Sequence, residues 1–488
     1  MGSTDDFVVR LPNPVRLLIV YVGAALTHFG YADRERTRRT ADLAWPRIVT
    51  GLARMSKNVV DVAMVGVALG SVAIGGVGLA GPFWGLAFSF GGGVAAGTIA
   101  LVSQRYGADR YDEIGQPIRS SVLLVLLITL PLAALFYAVP ERLIGFLTSD
   151  AQTLQYGADY LRVVAFGVPF AALNLIGSRT YIGVDDAWTP MMVRAGGALA
   201  NIGLNAVFIF VLDMGVEGAA LGTVLSNVLV TATFVVGLTV RRVPGTQAFP
   251  ARVSVFAGYA RRETVTDLVT IGLPVAGRNS VWTVARFPML AIVGLFAGPV
   301  LAAYVVARRI WGLMNTPGWG FGLAASSLVG QELGAENVEG ADSYAREINR
   351  IAVGVYVIGG LLTAATAPWI VRLFVDDPTD ATVPIAVGLV WASCFAIVPQ
   401  AVKATIAGAL DATGDTRWPF YSQVLGMVVI SIPLAYLGAT TALGIWGLYL
   451  AFLAESLVPA VVNYYRFTTG KWRKISREYR PDAPTADD

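Results

Sequence analysis

LVSQRYGADR at residues 101–110 returns as LVGQELGAEN at residues 328–337, an offset of 227. Pro46, Gly66 and Gly70 recur as Pro274, Gly294 and Gly298, 228 residues on. VDDAWTP at 184–190 answers to TGDTRWP at 413–419, and MGVEG at 214–218 to LGIWG at 443–447, both at 229. In a Gly- and Ala-rich sequence one such match could arise by chance. Four in the same order at a nearly constant offset point to an internal duplication.

The repeated unit is apolar. The chain is 55% hydrophobic and 14% charged, with a mean hydropathy of +0.62. Uncharged stretches run over 62–104, 120–140, 351–370 and 421–454. About 20 apolar residues cross a bilayer as a helix, whereas barrel strands would alternate in short segments. The spacing predicts helices near 43–69, 72–104, 118–138, 157–183, 190–212 and 215–240, then near 266–296, 299–330, 349–371, 382–410, 417–438 and 442–466. Six spans per copy is an even number, so both copies enter the membrane in the same sense, related by an axis along its normal. The expected fold class is therefore an all-α polytopic membrane protein of two six-helix lobes, twelve core spans, with a cleft between them. The expected units are an N-terminal extension at 1–40, lobes at 41–240 and 266–466, a polar connection at 241–265 and a tail at 467–488. Residues 17–32 are short for a full span and read as an interfacial or re-entrant helix, with an extra span as the alternative. Pro46, Pro274, Pro190 and Pro419 are expected in first helical turns, where no donor is lost. Pro169, Pro288, Pro317 and Pro399 lie deeper and are the candidate bends.

Basic residues orient the bundle. The side that carries the N-terminus is expected to hold Arg105, Arg110, Arg119, Arg179, Arg194, Arg241, Arg242, Arg252, Arg261, Arg262, Arg346, Arg350, Arg417 and a cluster from Arg466 to Arg480. The other side offers Arg142 and Arg372 beside Asp376, Asp377 and Asp380. Positive loops stay in the cytoplasm, so both termini are expected there, in the cell membrane. The formal net charge of +3 thus reports topology, and no basic groove with interleaved aromatics suggests a nucleic-acid partner. Cys394 and His28 are single, which excludes a Cys/His zinc cluster, an internal disulfide and a histidine-ligated haem, and no cofactor is expected. His28 reads as an interfacial polar residue. The glycines of FGGGVAAG at 90–97 suit close helix contacts, because no strand or Walker lysine accompanies them. With no ATPase domain or subunit implied, any transport must be driven by an ion gradient.

Within the first apolar helix, NVVDVAMVG at 58–66 places Asp61 on the same stripe as Arg54, Lys57 and Asn58. A carboxylate at mid-membrane costs about 2.5–3.5 kcal/mol on insertion scales unless it is solvated or paired. Two readings follow: a structural Lys57–Asp61 pair, or a wet cavity in which Asp61 binds and releases a proton or Na⁺. Asn201 and Asn205 stand one turn apart, with Thr223 on the following helix, and can coordinate a cation or hydrogen-bond a neighbour. In the second copy Arg278, Arg286 and Arg308 are candidates to line the cleft, with no acid beside the first two in sequence. Glu217 and Glu455 sit within or at the ends of predicted helices.

NVVDVAMVG with its upstream LAWP, the pair LVSQRYGA and LVGQELGA, GALDATGDTRWP with its first-copy counterpart YIGVDDAWTP, and NIGLNAVFIF followed by GVEGAALGT together resemble the multidrug and toxic compound extrusion (MATE) family, in its DinF-like subgroup, over about residues 41–466. The resemblance implies a MATE-like fold of two six-helix lobes around a V-shaped cleft. It implies export of organic, often cationic drugs by a monomer in exchange for H⁺ or Na⁺. It places the family's first-helix acid on Asp61, an asparagine on Asn201, and the sixth-helix threonine on Thr223. The position of a second acid is taken by Asn205, and the seventh helix lacks the acid of Na⁺-coupled members. The alternative function is export or flipping of an endogenous lipid-linked or anionic metabolite, which the central arginines would suit. No catalytic residue is expected.

Overall fold

The computed structural model describes residues 13–254, 257–296, 298–375 and 380–479; Asp376, Asp377 and Arg480 lie outside the described residues. Its regular elements are all helical, with no strand among the described residues, and the described part of the connection at 241–261 contains only turns, bends and irregular backbone. Helix α1 (Pro14–His28) precedes α2 (Arg34–Leu69), α3 (Ser71–Gly107), α4 (Tyr111–Ala138), a short α5 (Pro140–Gly145), α6 (Ala151–Gly183), α7 (Trp188–Val211) and α8 (Gly215–Val240). The second half runs α9 (Arg262–Val284), α10 (Arg286–Val293), α11 (Gly298–Met314), α12 (Thr316–Gly334), α13 (Val338–Arg372), α14 (Thr382–Thr413), α15 (Arg417–Thr440), α16 (Trp446–Thr468) and α17 (Trp472–Ile475).

Among the described residues nine helices are long and apolar enough to cross a membrane: α3, α4, α6, α7, α8, α13, α14, α15 and α16. The other expected spans differ for identifiable reasons. Helix α2 carries Arg54, Lys57 and Asp61 in its apolar part. The expected helices 266–296 and 299–330 are each broken, at Ala285 and at Asn315. Pro288 and Pro317 follow those breaks by two or three residues; a proline ring removes one backbone donor and collides with the carbonyl four residues back. The freed groups at the second break find partners, since Tyr356 donates to the Asn315 carbonyl at 3.2 Å and accepts from the Gly318 N–H. Pro169 likewise follows a 3-10 turn at Ala165–Gly167, whereas α14 continues through Pro399.

The expected helix starts at Pro46 and Pro274 are corrected. Both prolines lie inside their helices, because α2 and α9 begin twelve residues earlier, at Arg34 and Arg262. Pro190 and Pro419 do sit in first turns. Helix α1 has 15 residues, about 22 Å at 1.5 Å per residue. It is shorter than the hydrocarbon core of about 30 Å and lies against α2 and α13, with Val22 on Gly354 and Gly23 on Thr37.

The repeated motif packs on its own copy. A Cβ on Gly107 would fall 1.9 Å from the Gln331 carbonyl oxygen, and a Cβ on Gly334 1.9 Å from that of Gln104. The side chain of Gln104 donates to the Ala412 carbonyl at 2.8 Å, and that of Gln331 donates to the Gly183 carbonyl at 3.4 Å. Each first helix crosses to the other half: α9 packs along α3, where Gly93 and Gly272 face one another, and α2 packs along α12, with Gly320 against the Ala44 carbonyl. Ion pairs surround the same end of the bundle, Arg36 with Glu347 at 2.8 Å and Arg39 with Asp185 at 2.9 Å. The C-terminal segment also lies there, with Tyr479 packed on Gly414 and Trp472 stacked on Phe467. This end is closed.

Replacing either glycine of the reciprocal contact forces a backbone to move, and overpacking of this kind costs about 1–3 kcal/mol. Gly107→Val and Gly334→Val are therefore expected to lower the thermal unfolding midpoint of the detergent-solubilised protein by similar amounts. Gly78→Ala, where nothing lies within 4 Å, is expected to leave it unchanged; unequal effects of the first two would contradict the reciprocity.

Candidate functional site

A cavity of about 1060 Å³ lies above the closed end, between elements of both halves. Its walls come from α2, α3, α6, α7 and α8 on one side and from α9, α10, α12, α14, α15 and α16 on the other.

Asp61 lines this cavity, together with Lys57 and Asn58 from the same helix. Lys57 Nζ contacts Asp61 Oδ2 at 2.6 Å, as their one-turn spacing allows. The second carboxylate oxygen, Oδ1, accepts from Asn205 Nδ2 at 2.9 Å, a bond from α7. Asn205 Nδ2 also reaches Asn201 Oδ1 at 3.4 Å, and Asn201 Nδ2 reaches Thr223 Oγ1 at 3.3 Å and Ser226 Oγ at 3.4 Å. The chain of amides thus ties α2 to α7 and α7 to α8. Both asparagines are fully buried, so they stand behind Asp61 and Thr223 and do not face the cavity themselves. Just beyond Asn205 the helix loosens into a π segment, Val207–Val211, a feature frequent at functional positions.

The structure brings together Asp61, Lys57, Asn201, Asn205 and Thr223. It leaves Asn58 on the cavity wall, exposed and without a side-chain hydrogen bond among the described residues. Two contributors carried no recognisable pattern in sequence. Ser226 ends the amide chain, one turn after Thr223. Gly222 makes room for it: a Cβ there would fall 2.0 Å from Asn205 Oδ1.

Of the three second-half arginines expected to line the cleft, Arg278 and Arg286 line the cavity and Arg308 does not. Arg278 lines the cavity but has an acid beside it, Asp411 of α14, at 3.2 and 2.7 Å through both terminal nitrogens. Arg308 is not among the cavity-lining residues; it pairs with Glu455 at 2.9 Å and lies over the Phe452 ring. Arg286 does line the cavity, stacked on Trp282 at 3.5 Å. Arg179 and Arg194, expected among loop charges, are helical and line the cavity as well, as do Arg47, Arg54 and Lys403. Among the described residues eight basic side chains therefore line the cavity against two acidic ones, Asp61 and Asp411.

The contact between Asn205 and Gly222 gives a direct check on this geometry. Gly222→Ala is expected to lower the thermal unfolding midpoint by the overpacking cost of about 1–3 kcal/mol. Adding Asn205→Ala should recover much of that loss, because the two changes share one contact and are not additive. Strict additivity would show that the Asn205 amide does not occupy this position.

A family profile described as MatE matches the chain twice, over residues 46–207 and 274–437. A probable multidrug resistance protein NorM of Bradyrhizobium diazoefficiens is 26% identical over 451 residues, covering 88% of this chain and 92% of that protein. Among solved structures, the outward-facing conformation of a multidrug resistance MATE family transporter of the MOP superfamily aligns with a TM-score of 0.82 at 21% identity, over 95% of this chain and 100% of that one. A MOP superfamily transporter from Pyrococcus furiosus, described by the reverse polarity of its binding pocket, aligns with a TM-score of 0.80 at 21% identity, over 97% and 100%. The two profile matches fall on the two halves that the sequence repeat marks, and the chain belongs to the MatE family, whose members are multi-pass membrane transporters and not enzymes.

Proposed function

We propose that this protein is a cation-gradient-driven antiporter, coupled to H⁺ or Na⁺, that exports organic solutes across the cell membrane through the central cavity. The observation that carries this reading is Asp61, a carboxylate on the cavity wall of a long apolar helix, shared between Lys57 and Asn205. A proton or Na⁺ arriving at Asp61 competes with Lys57 for the same oxygens. Occupancy thus changes the tie between α2 and α7, which is what a coupling site must do. Asn201, Thr223 and Asn58 would support or complete that site.

In this reading α2 is a full span, since 36 residues reach about 54 Å and its charges face the cavity. The broken pairs α9–α10 and α11–α12 supply the remaining spans, giving two six-helix lobes over 41–240 and 266–466. The protein would act as a DinF-like monomer, with both termini cytoplasmic, the 241–265 connection on that side and the tail after residue 466 there too.

For the cargo, organic cations and drugs are the first reading, supported by the multidrug resistance relatives. The second is an anionic or lipid-linked metabolite. It is favoured by the excess of basic residues around the cavity and by the pairing of both acids, Asp61 with Lys57 and Asp411 with Arg278.

Asp61→Asn removes the charge at nearly constant size. In proteoliposomes with imposed pH and Na⁺ gradients varied separately, it is expected to reduce gradient-driven efflux of a fluorescent organic cation at least about tenfold, with expression retained. Full transport by folded Asp61→Asn protein would remove Asp61 from coupling. Poor insertion relieved by a further Lys57→Gln change would instead favour the structural pair. The orientation is checked separately: in a Cys394→Ser background, Gln247→Cys is expected to react with an impermeant maleimide only from the cytoplasmic side. Labelling from outside alone would reverse the proposed topology.

A further inference from the structure

Four guanidinium groups near the closed end of the cavity have no acidic partner. Arg47 and Arg54 stand seven residues apart on α2, two turns along one face; Arg179 comes from the end of α6 and Arg194 from the start of α7. Among the described residues no carboxylate pairs with any of them. The other long-range arginine pairs show how the chain handles such groups: Arg278 has Asp411 at 2.7 Å, Arg308 has Glu455 at 2.9 Å and Arg466 has Asp415 at 2.6 Å. The four are instead neighbours of one another. Arg47, Arg179 and Arg194 all lie within electrostatic reach of Arg54, and Arg47 also within reach of Arg179 and Arg194.

The groups are held rather than free. Arg47 is 6% exposed, and it shares the Trp319 ring with Arg54, at 5.7 and 5.3 Å from the ring centre. Arg54 also faces Phe88 at 5.7 Å. The Arg47 Nε and one terminal nitrogen of Arg179 are buried without an acceptor. An uncompensated buried charge is strongly unfavourable, and like charges held together add to that cost. An anion reaching this end of the cavity would remove both terms.

The guanidinium fork matches a planar pair of oxyanion oxygens better than it matches a point charge, and a phosphate monoester brings close to two negative charges at neutral pH. Along the same cavity Trp84, Phe88, Trp282 and Phe287 offer an aromatic wall, and a volume of about 1060 Å³ is enough for a drug-sized molecule. We infer that Arg47, Arg54, Arg179 and Arg194 form a subsite for the phosphate group of an amphiphilic cargo whose apolar or aromatic body lies along that wall. This deepens the anionic reading of the cavity, and rests on the transport reading only in taking the cavity as the place where cargo sits. The subsite is separate from Asp61, which lies two helical turns beyond Arg54, about 10 Å along the axis.

The test is equilibrium binding to the purified full chain, with 1-naphthyl phosphate as the probe and 1-naphthol, 1-naphthoate and 1-naphthylmethylammonium as its neutral, monoanionic and cationic counterparts. The phosphate is expected to bind at least about tenfold more tightly than any counterpart and to weaken as salt is added. The pair Arg179→Gln, Arg194→Gln should lower its affinity at least about tenfold. The pair Arg179→Lys, Arg194→Lys, which keeps the charge and loses the fork, should lower it several-fold and serves where the glutamine pair does not fold. A second arm asks whether vesicles containing phosphatidic acid, compared with phosphatidylcholine alone, raise the thermal unfolding midpoint of the wild type and not of the lysine pair. Binding in the first arm identifies a soluble organic phosphate. A response in the second arm alone identifies a lipid headgroup, and both outcomes support the subsite. Equal binding of any counterpart, wild-type affinity in folded variants, or no response in either arm overturns it. Because binding is read without a gradient, such a failure leaves the coupling proposal standing, whereas loss of driven transport with binding intact strikes the coupling proposal alone.

Discussion

The reciprocal contact of Gln104 and Gln331 is the constraint on which the rest of the structure depends. Two glycines, Gly107 and Gly334, let the backbones of α3 and α12 approach until each lacks room for a Cβ. Each glutamine then spends its amide on a carbonyl of the opposite half, Ala412 or Gly183. Those two carbonyls are themselves 229 residues apart, so the contact has the self-complementary character of a two-fold interface within one chain. A duplicated unit can satisfy such a contact twice with one motif. Once it forms, the ends of α3, α6, α12 and α14 are fixed together, and the space left between the halves becomes the cavity.

The charges in that cavity follow two different rules. Lys57 and Asp61 form a local pair on one helix turn, steadied by an amide chain that crosses to α7 and α8. Arg278–Asp411 on the cavity wall, like Arg308–Glu455 outside it, joins distant helices and leaves no net charge. Arg47, Arg54, Arg179 and Arg194 obey neither rule, and aromatic rings take the place of acids beside the first two. Unpaired basic charge is therefore gathered toward the closed end, while the Asp61 carboxylate lies farther along α2.

The breaks at Ala285 and Asn315 give the two halves unequal walls. In the first half α2 and α3 run unbroken; in the second, proline interrupts their counterparts and the backbone is re-satisfied locally by Tyr356. Irregular backbone at membrane depth is tolerated where it lines a cavity or is covered by protein. Asn315 meets that condition, since it lines the cavity and its side chain accepts from Gln400 at 2.9 Å.

The sequence by itself determined the membrane class and the duplication, and offered the Lys57–Asp61 pair as one of two readings, because each rests on a short-range regularity: apolar run length, a repeated word, or one helical turn. It also marked Asn201, Asn205 and Thr223, whose spacing follows the helix period, though not that the asparagines stand behind the cavity wall. The broken second-half helices were only half legible, since proline marked the sites while the loss of continuity depended on whether neighbours could accept the freed backbone groups. Only the tertiary structure decided which charges are paired. Arg278 and Asp411 are 133 positions apart and Arg308 and Glu455 are 147, and no helical period links residues at that separation. It also turned Arg179 and Arg194 from apparent loop charges into cavity walls, because the depth and direction of a side chain near a helix end are set by the helices packed around it and not by the helix itself.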